Sequence, residues 1–202
     1  MDRRFFIVII ALVTIVACAV AGGGGSGVDL ALVRAMVAQR LAHPWVDVLS
    51  HLVTRLGSAT FLLPLVGLVA GWLWWKRRVP NALFLIGTAL GGRIAIELIK
   101  LTIARPRPEI VPYPVSVSSF SFPSGHAGNS MTTFLAIAIA VAPPRYRARA
   151  IGAAVAVSLA VGTTRPLLGV HWPSDVLAGW AFGIAWVALC LRLVSRRGET
   201  AA

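Results

Sequence analysis

Residues 121–142 read SFPSGHAGNSMTTFLAIAIAVA. From Met131 onward the stretch is apolar and uncharged, the kind of sequence that fills a bilayer. Just before it, Pro123, Ser124, Gly125 and His126 stand at the mouth of the apolar run. A titratable ring where a chain enters lipid is costly unless it serves a site. The stretch therefore predicts a membrane helix with chemistry at its N-terminal end.

The rest of the chain agrees. Of its 202 residues, 57% are hydrophobic, and the mean hydropathy is +0.81. Soluble domains hold about 45–50% apolar residues, so this chain has too little polar surface to coat a soluble globule. An all-α integral membrane bundle is expected, forming one domain over residues 1–202. Apolar segments predict six spans near residues 5–21, 58–75, 82–103, 127–142, 150–164 and 176–193. The net charge of +12 would suit a nucleic-acid binder. The cations instead cluster between apolar runs, which marks them as topology signals and excludes nucleic acid as a partner. Arg3 and Arg4, Lys76 to Arg78, Arg145 with Arg147 and Arg149, and Arg192 with Arg196 and Arg197 all fall on one face of a six-span bundle. By the positive-inside rule that face is cytoplasmic, with both termini. Trp72, Trp74 and Trp75 fit an interfacial belt beside their cluster. Cys18 and Cys190 lie in runs near opposite faces, so no disulfide is expected. Oligomeric state is not legible.

On the opposite face, residues 22–57 open with GGGGSG, a flexible joint. VDLALVRAMVAQRLAHPWVDVLSHLV then reads as one helix lying on the membrane surface. Residues 104–122 carry Pro106, Pro108, Pro112 and Pro114 and read as an extended loop, and residues 165–174 as a tight turn. At the N-terminus, Ala19-Val20-Ala21 resembles the end of a cleavable secretion signal. Ile15-Val16-Ala17-Cys18 resembles a lipoprotein cleavage box. The six-span reading keeps this segment as the first span.

Eight basic residues remain on that opposite face or within spans: Arg34, Arg40, Arg55, Arg93, Lys100, Arg105, Arg107 and Arg165. Lys100, Arg107 and Arg165 can meet His126, His171 and Asp175 at the outer helix ends. Three permanent cations, two histidines and a carboxylate suit a tetrahedral, multiply charged anion such as phosphate. Ser124 is placed to cap the helix, and Gly125 lets its free amides approach a ligand. Arg93 and Glu97, four residues apart, read as a structural ion pair, with orientation of Lys100 as a second role for Glu97. Arg34, Arg40, Arg55 and Arg105 read as interfacial, near anionic headgroups. His43 and His51 read as surface residues, and Asn129 and Ser130 as packing between helices.

The spacing of these residues carries a resemblance. Lys100, six residues, then Arg107-Pro108 resembles the first signature of the type-2 phosphatidic-acid phosphatase family. Pro123-Ser124-Gly125-His126 resembles the second. Arg165, five residues, His171, three residues, Asp175 resembles the third, with Thr164 where the family usually has serine. The resemblance implies a metal-independent phosphatase working through a phosphohistidine. His171 is then the nucleophile, Asp175 fixes its tautomer, and His126 is the general acid and base. Lys100, Arg107 and Arg165 hold the phosphoryl oxygens, with Ser124 and the Gly125 N–H completing the cradle. Glu97, Pro108 and Thr164 stand behind them. No Asp/Glu or Cys/His cluster suits a catalytic metal, so neither metal nor cofactor is expected. By family analogy the substrate is undecaprenyl diphosphate, phosphatidylglycerol phosphate or phosphatidic acid, reached from the periplasmic or extracellular side of the plasma membrane. Phosphotransfer to an acceptor other than water is the alternative activity. A non-enzymatic lipid-phosphate carrier would need only the cations, not the histidines.

Overall fold

The computed structural model describes residues 3–21 and 27–199. The glycines of the expected joint at 22–25 lie outside the described residues, as do the side chains of Arg3, Arg4, Arg196 and Arg197. Among the described residues there are eight α-helices and no strand. They are α1 (Arg3–Ala21), α2 (Gly27–Ala42), α3 (Pro44–Arg55), α4 (Ala59–Trp75), α5 (Val79–Ile103), α6 (Gly125–Val141), α7 (Arg147–Leu167) and α8 (Pro173–Glu199). A single 3-10 turn, Pro144–Tyr146, leads into α7. Three segments, Val79–Ile103, Pro144–Leu167 and Pro173–Ser195, are long and apolar enough to cross a bilayer alone. Helices α3 and α4, bent by 43° at their junction, make a fourth if taken together.

Helix ends fall where the local chemistry stops or starts them. Pro44 and Pro80 sit in the first turns of α3 and α5, where a missing N–H costs nothing. Ala104 is left-handed (φ 48°) and its N–H closes on the Lys100 carbonyl, so α5 stops one turn after Lys100. Ser124 caps α6 by accepting from the Ala127 N–H. Gly169 (φ 72°) supplies the positive φ that lets the chain turn sharply between α7 and α8.

Pro44 also corrects a sequence expectation. The surface segment is two helices, not one, because His43 is held extended (φ −128°, ψ 99°) ahead of the proline ring. Helix α3 then packs against α7 rather than lying apart from the bundle.

Helix α6 is the axis of the fold and is buried along most of its length. Val66, Ala70, Leu73, Leu85, Ala89, Ala136 and Ala140 join α4, α5 and α6. Met131, Leu135, Ala154 and Val187 join α6, α7 and α8. The outside is a belt of exposed apolar residues, among them Leu68, Leu83, Ile94, Leu98 and Leu177. Lipid tails are as apolar as leucine, so close packing by small residues holds such helices together. A Cβ on Gly179 would lie 2.7 Å from the Ser124 carbonyl oxygen, and one on Gly183 2.7 Å from the Met131 Cβ. At the same crossing the Ser124 N–H donates to the Asp175 carbonyl at 2.9 Å. Gly179→Ala is therefore expected to cost about 1–3 kcal/mol by overpacking and to reduce turnover by prising α6 from α8. Thermal unfolding in detergent checks this; an unchanged melting point would show that the crossing yields.

Candidate active site

At the end of the bundle opposite Lys76–Arg78, a cavity of about 320 Å3 is lined by Lys100, Arg107, Gly125, His126, Arg165 and His171, with Arg93 and Glu97 along one side. Lys100 comes from the last turns of α5 and Arg165 from the last turn of α7. Gly125 and His126 open α6. Arg107 lies on the strap 104–124 between α5 and α6, and His171 on the α7–α8 turn.

Each cation is positioned by protein oxygens. Arg107 donates from Nε to the Ser119 carbonyl at 2.8 Å and from one terminal nitrogen to the Val170 carbonyl at 2.6 Å. That same nitrogen is 3.1 Å from His171 Nε2. Lys100 Nζ donates to Ser119 Oγ at 2.8 Å and lies 3.9 Å from Glu97. Arg165 donates to Thr54 Oγ1 at 2.7 Å, and its buried Nε has no hydrogen-bond partner. A buried N–H left open beside a cavity is costly, and an anion there would satisfy it.

His171 is 2% exposed. Burial pushes its pKa well below the ordinary value of 6.5, and the charges of Arg107, Arg165 and Lys100 push the same way. The ring is therefore neutral at pH 7, with Nε2 aimed at the cavity. The unfolded chain binds a proton on this ring below about pH 6.5 while the folded one does not. Stability is then expected to fall as pH drops through about 6.5, and His171→Gln to flatten that dependence. Denaturation measured from pH 8 to 5 checks the sign.

Asp175 is fully buried behind His171. Its Oδ2 accepts from Ser121 Oγ at 2.5 Å and from the Trp172 N–H at 2.9 Å, and Oδ1 accepts from Arg105 at 2.7 Å. The direct hydrogen bond expected between His171 and Asp175 is stretched: Nδ1 to Oδ2 is 3.5 Å, beyond ordinary N–H···O range. Ser121 Oγ, 3.3 Å from Nδ1, stands between them. The cause is competition, since the carboxylate is drawn to Ser121, Trp172 and Arg105 at once. His126 lines the cavity, and its ring makes no hydrogen bond among the described residues. Gly57 leaves space for it: a Cβ there would come within 3.2 Å of the ring.

Other residues of the three signatures sit behind the cavity wall. Ser124 is fully buried and spends its hydroxyl on the helix cap. Pro108 is buried, and the Thr164 hydroxyl donates to the Val161 carbonyl at 2.6 Å.

Three expectations are corrected. Arg105 is not interfacial: it is 6% exposed, paired with Asp175, and donates to the Cys18 and Ala19 carbonyls at 2.9 Å. Arg40 is likewise buried, bonded to Asp47 at 2.5 Å and to the Leu167 carbonyl at 2.9 Å. Arg93 and Glu97 form no ion pair; Glu97 leans to Lys100 and both line the cavity. Arg34, Arg55 and His43 are exposed, while His51 is partly buried, bonded through Nδ1 to the Asp47 carbonyl. Ser130 is fully buried and bonded within α6, whereas Asn129 also reaches the cavity. Ser119 and Ser121 are the residues the sequence reading passed over. The strap is irregular, so no period in the sequence marked them. The strap also closes on itself through the Ser121 N–H and the Arg105 carbonyl at 2.9 Å.

A helical membrane bundle with cations and two histidines around one cavity defines an integral-membrane protein with a cationic pocket. The chain belongs to the PAP2 superfamily, whose family model matches residues 81–199. It is 32% identical over 162 residues to phosphatidylglycerophosphatase B of Bacillus subtilis, covering 77% of this chain and 78% of that protein. It is 35% identical over 123 residues to lipid A 1-phosphatase of Rhizobium johnstonii, covering 56% of this chain and 48% of that protein. The crystal structure of a transmembrane PAP2 type phosphatidylglycerolphosphate phosphatase from Bacillus subtilis superposes with a TM-score of 0.85 at 27% identity, over 97% of this chain and 98% of that one.

Proposed function

We propose that the protein is a multi-pass membrane lipid phosphatase that cleaves a lipid phosphate or diphosphate through a phosphohistidine. The observation that carries this reading is the pairing of a neutral, cavity-facing His171 Nε2 with the unpartnered Nε of Arg165. One supplies a nucleophile and the other a vacant donor for a phosphoryl oxygen.

His171 Nε2 attacks phosphorus as the bond to the leaving oxygen breaks, and His126 gives that oxygen its proton. Lys100, Arg107, Arg165 and the Gly125 N–H hold the non-bridging oxygens, so most of the catalysis is positioning and electrostatics. Water then attacks the phosphohistidine, giving a proton back to His126. The P–N bond breaks, leaving neutral His171 and free phosphate. Asp175, acting through Ser121, keeps the Nδ1 proton in place so that Nε2 is the unprotonated nitrogen, whose lone pair faces Arg107 until substrate draws that guanidinium to a phosphoryl oxygen.

In the topology we propose, with six spans and cytoplasmic termini, the cavity opens on the periplasmic or extracellular side. The Lys76–Arg78 and Arg145–Arg149 clusters, at helix ends away from the cavity, support that orientation. Substrates of the phosphatidylglycerol phosphate, phosphatidic acid or undecaprenyl diphosphate class would keep their chains in lipid. The test is purified protein with each lipid in the presence of a chelator. Phosphate release from at least one is expected, and none from any overturns the proposal. Product analysis separates free phosphate from a newly phosphorylated acceptor.

Ser121→Ala is expected to lower kcat about tenfold, the worth of one hydrogen bond, and to shift the pH profile of kcat. An unchanged profile would mean that Ser121 only packs.

A further inference from the structure

Arg93 lines the same cavity as Lys100, Arg107 and Arg165. Those three are held by Ser119, Val170 and Thr54. Arg93 makes no hydrogen bond or ion pair among the described residues, and the carboxylate nearest in sequence, Glu97, leans to Lys100 instead. It stands two helical turns before Lys100 on α5, on the same face and about 10 Å deeper in the bundle. A cation inside a span is expensive to insert and marks a functional site. Among the described residues none bonds to it, so a bound ligand can supply its anion.

We propose that Arg93 binds a second anionic group of the substrate, separate from the phosphoryl group that His171 attacks. The enzyme then favours lipids whose headgroup carries a terminal phosphomonoester and a phosphodiester joined by a hydroxylated three-carbon spacer. This rests on the phosphatase reading above. The order of the groups matches the depth of the cations. In such a lipid the diester lies nearer the acyl chains than the monoester, as Arg93 lies deeper than Lys100. Glu97, between the two on the same helix face, is placed to accept from the spacer hydroxyl. The cavity, about 320 Å3, has room for about ten water-sized groups at about 30 Å3 each, more than one phosphate fills. The break at Gly57 to Ala59 lines it as well and offers a way out for the acyl chains. In a diphosphate the two phosphorus atoms share an oxygen, so both groups fall within reach of the outer three cations.

Arg93→Gln and Arg93→Lys are to be assayed on three lipids: the glycerol-spaced two-phosphate lipid, phosphatidic acid and a lipid diphosphate. Arg93→Gln is expected to lower kcat/KM on the first by about tenfold, mainly through KM, the effect of one charge-assisted contact. Losses on the other two should be several-fold smaller, and Arg93→Lys should recover part of the first. Equal losses on all three, or none on the first, overturn the proposal. A second arm needs no turnover: calorimetry with soluble glycerol 1,3-bisphosphate and glycerol 3-phosphate. The native protein should favour the bisphosphate by about tenfold, and Arg93→Gln should erase that preference. If the native protein releases phosphate from no lipid, the phosphatase reading falls, and this binding comparison still decides the role of Arg93. No preference for the bisphosphate, or one that survives Arg93→Gln, rejects it.

Discussion

Replacing His171 with glutamine is expected to lower phosphate release by about four orders of magnitude or more, as loss of a covalent nucleophile does elsewhere. The amide approximates the volume of the ring but offers no basic nitrogen to phosphorus. His126→Ala should behave differently, because in the proposed mechanism the nucleophile is intact and only the proton donor is missing. Substrates with good leaving groups should still phosphorylate it, while poor ones stall. Water should then attack slowly, so a phosphoenzyme labile to acid and stable to base should accumulate when radiolabelled substrate is quenched. Label on the His126→Ala protein and none on His171→Gln is the expected result. The reverse pattern would exchange the roles of the two histidines.

Arg105→Met is expected to destabilise the fold by about 3–5 kcal/mol, because it leaves the fully buried Asp175 carboxylate without its ion partner. Lost packing adds to this, since the guanidinium lies 4.4 Å over the Phe122 ring. Adding Asp175→Asn to the same chain removes the orphaned charge and should restore part of the stability, though not the activity. Denaturant unfolding in detergent measures both. A loss below about 1 kcal/mol for the single variant would mean that water reaches Asp175 and that the pair acts as an exposed one.

Much of the site was legible because motif spacing and helix periodicity act together. Lys100, His126, Arg165 and Asp175 fall in terminal turns of helices, and caps at Ser124 and Ala104 set where those turns end. Ser119 and Ser121 were not legible, since an irregular strap has no hydrophobic period to say which side chains turn inward. Arg105 was misread for a related reason. Near a membrane surface a spare cation suits a headgroup, and only tertiary contact reveals that the carboxylate seventy residues later claims it. Arg93 and Glu97 had the spacing of a pair, but a helix face that borders a cavity gives each a different neighbour. The broken surface helix was visible in principle at Pro44, whose ring and missing N–H end what the apolar periodicity would have continued.

The two bonds from Arg105 to the last carbonyls of α1 bear on how the protein is made. Helix α1 leaves the ribosome before α8, yet the two pack along each other. Arg105 is fully occupied only when both have arrived, one bringing carbonyls and the other Asp175. A nascent chain lacking its final helix, or a chain clipped behind Ala21, would carry an incomplete guanidinium clamp beside a misplaced carboxylate. Closure of α1 on α8 and the seating of Asp175 behind His171 are thus coupled through one guanidinium.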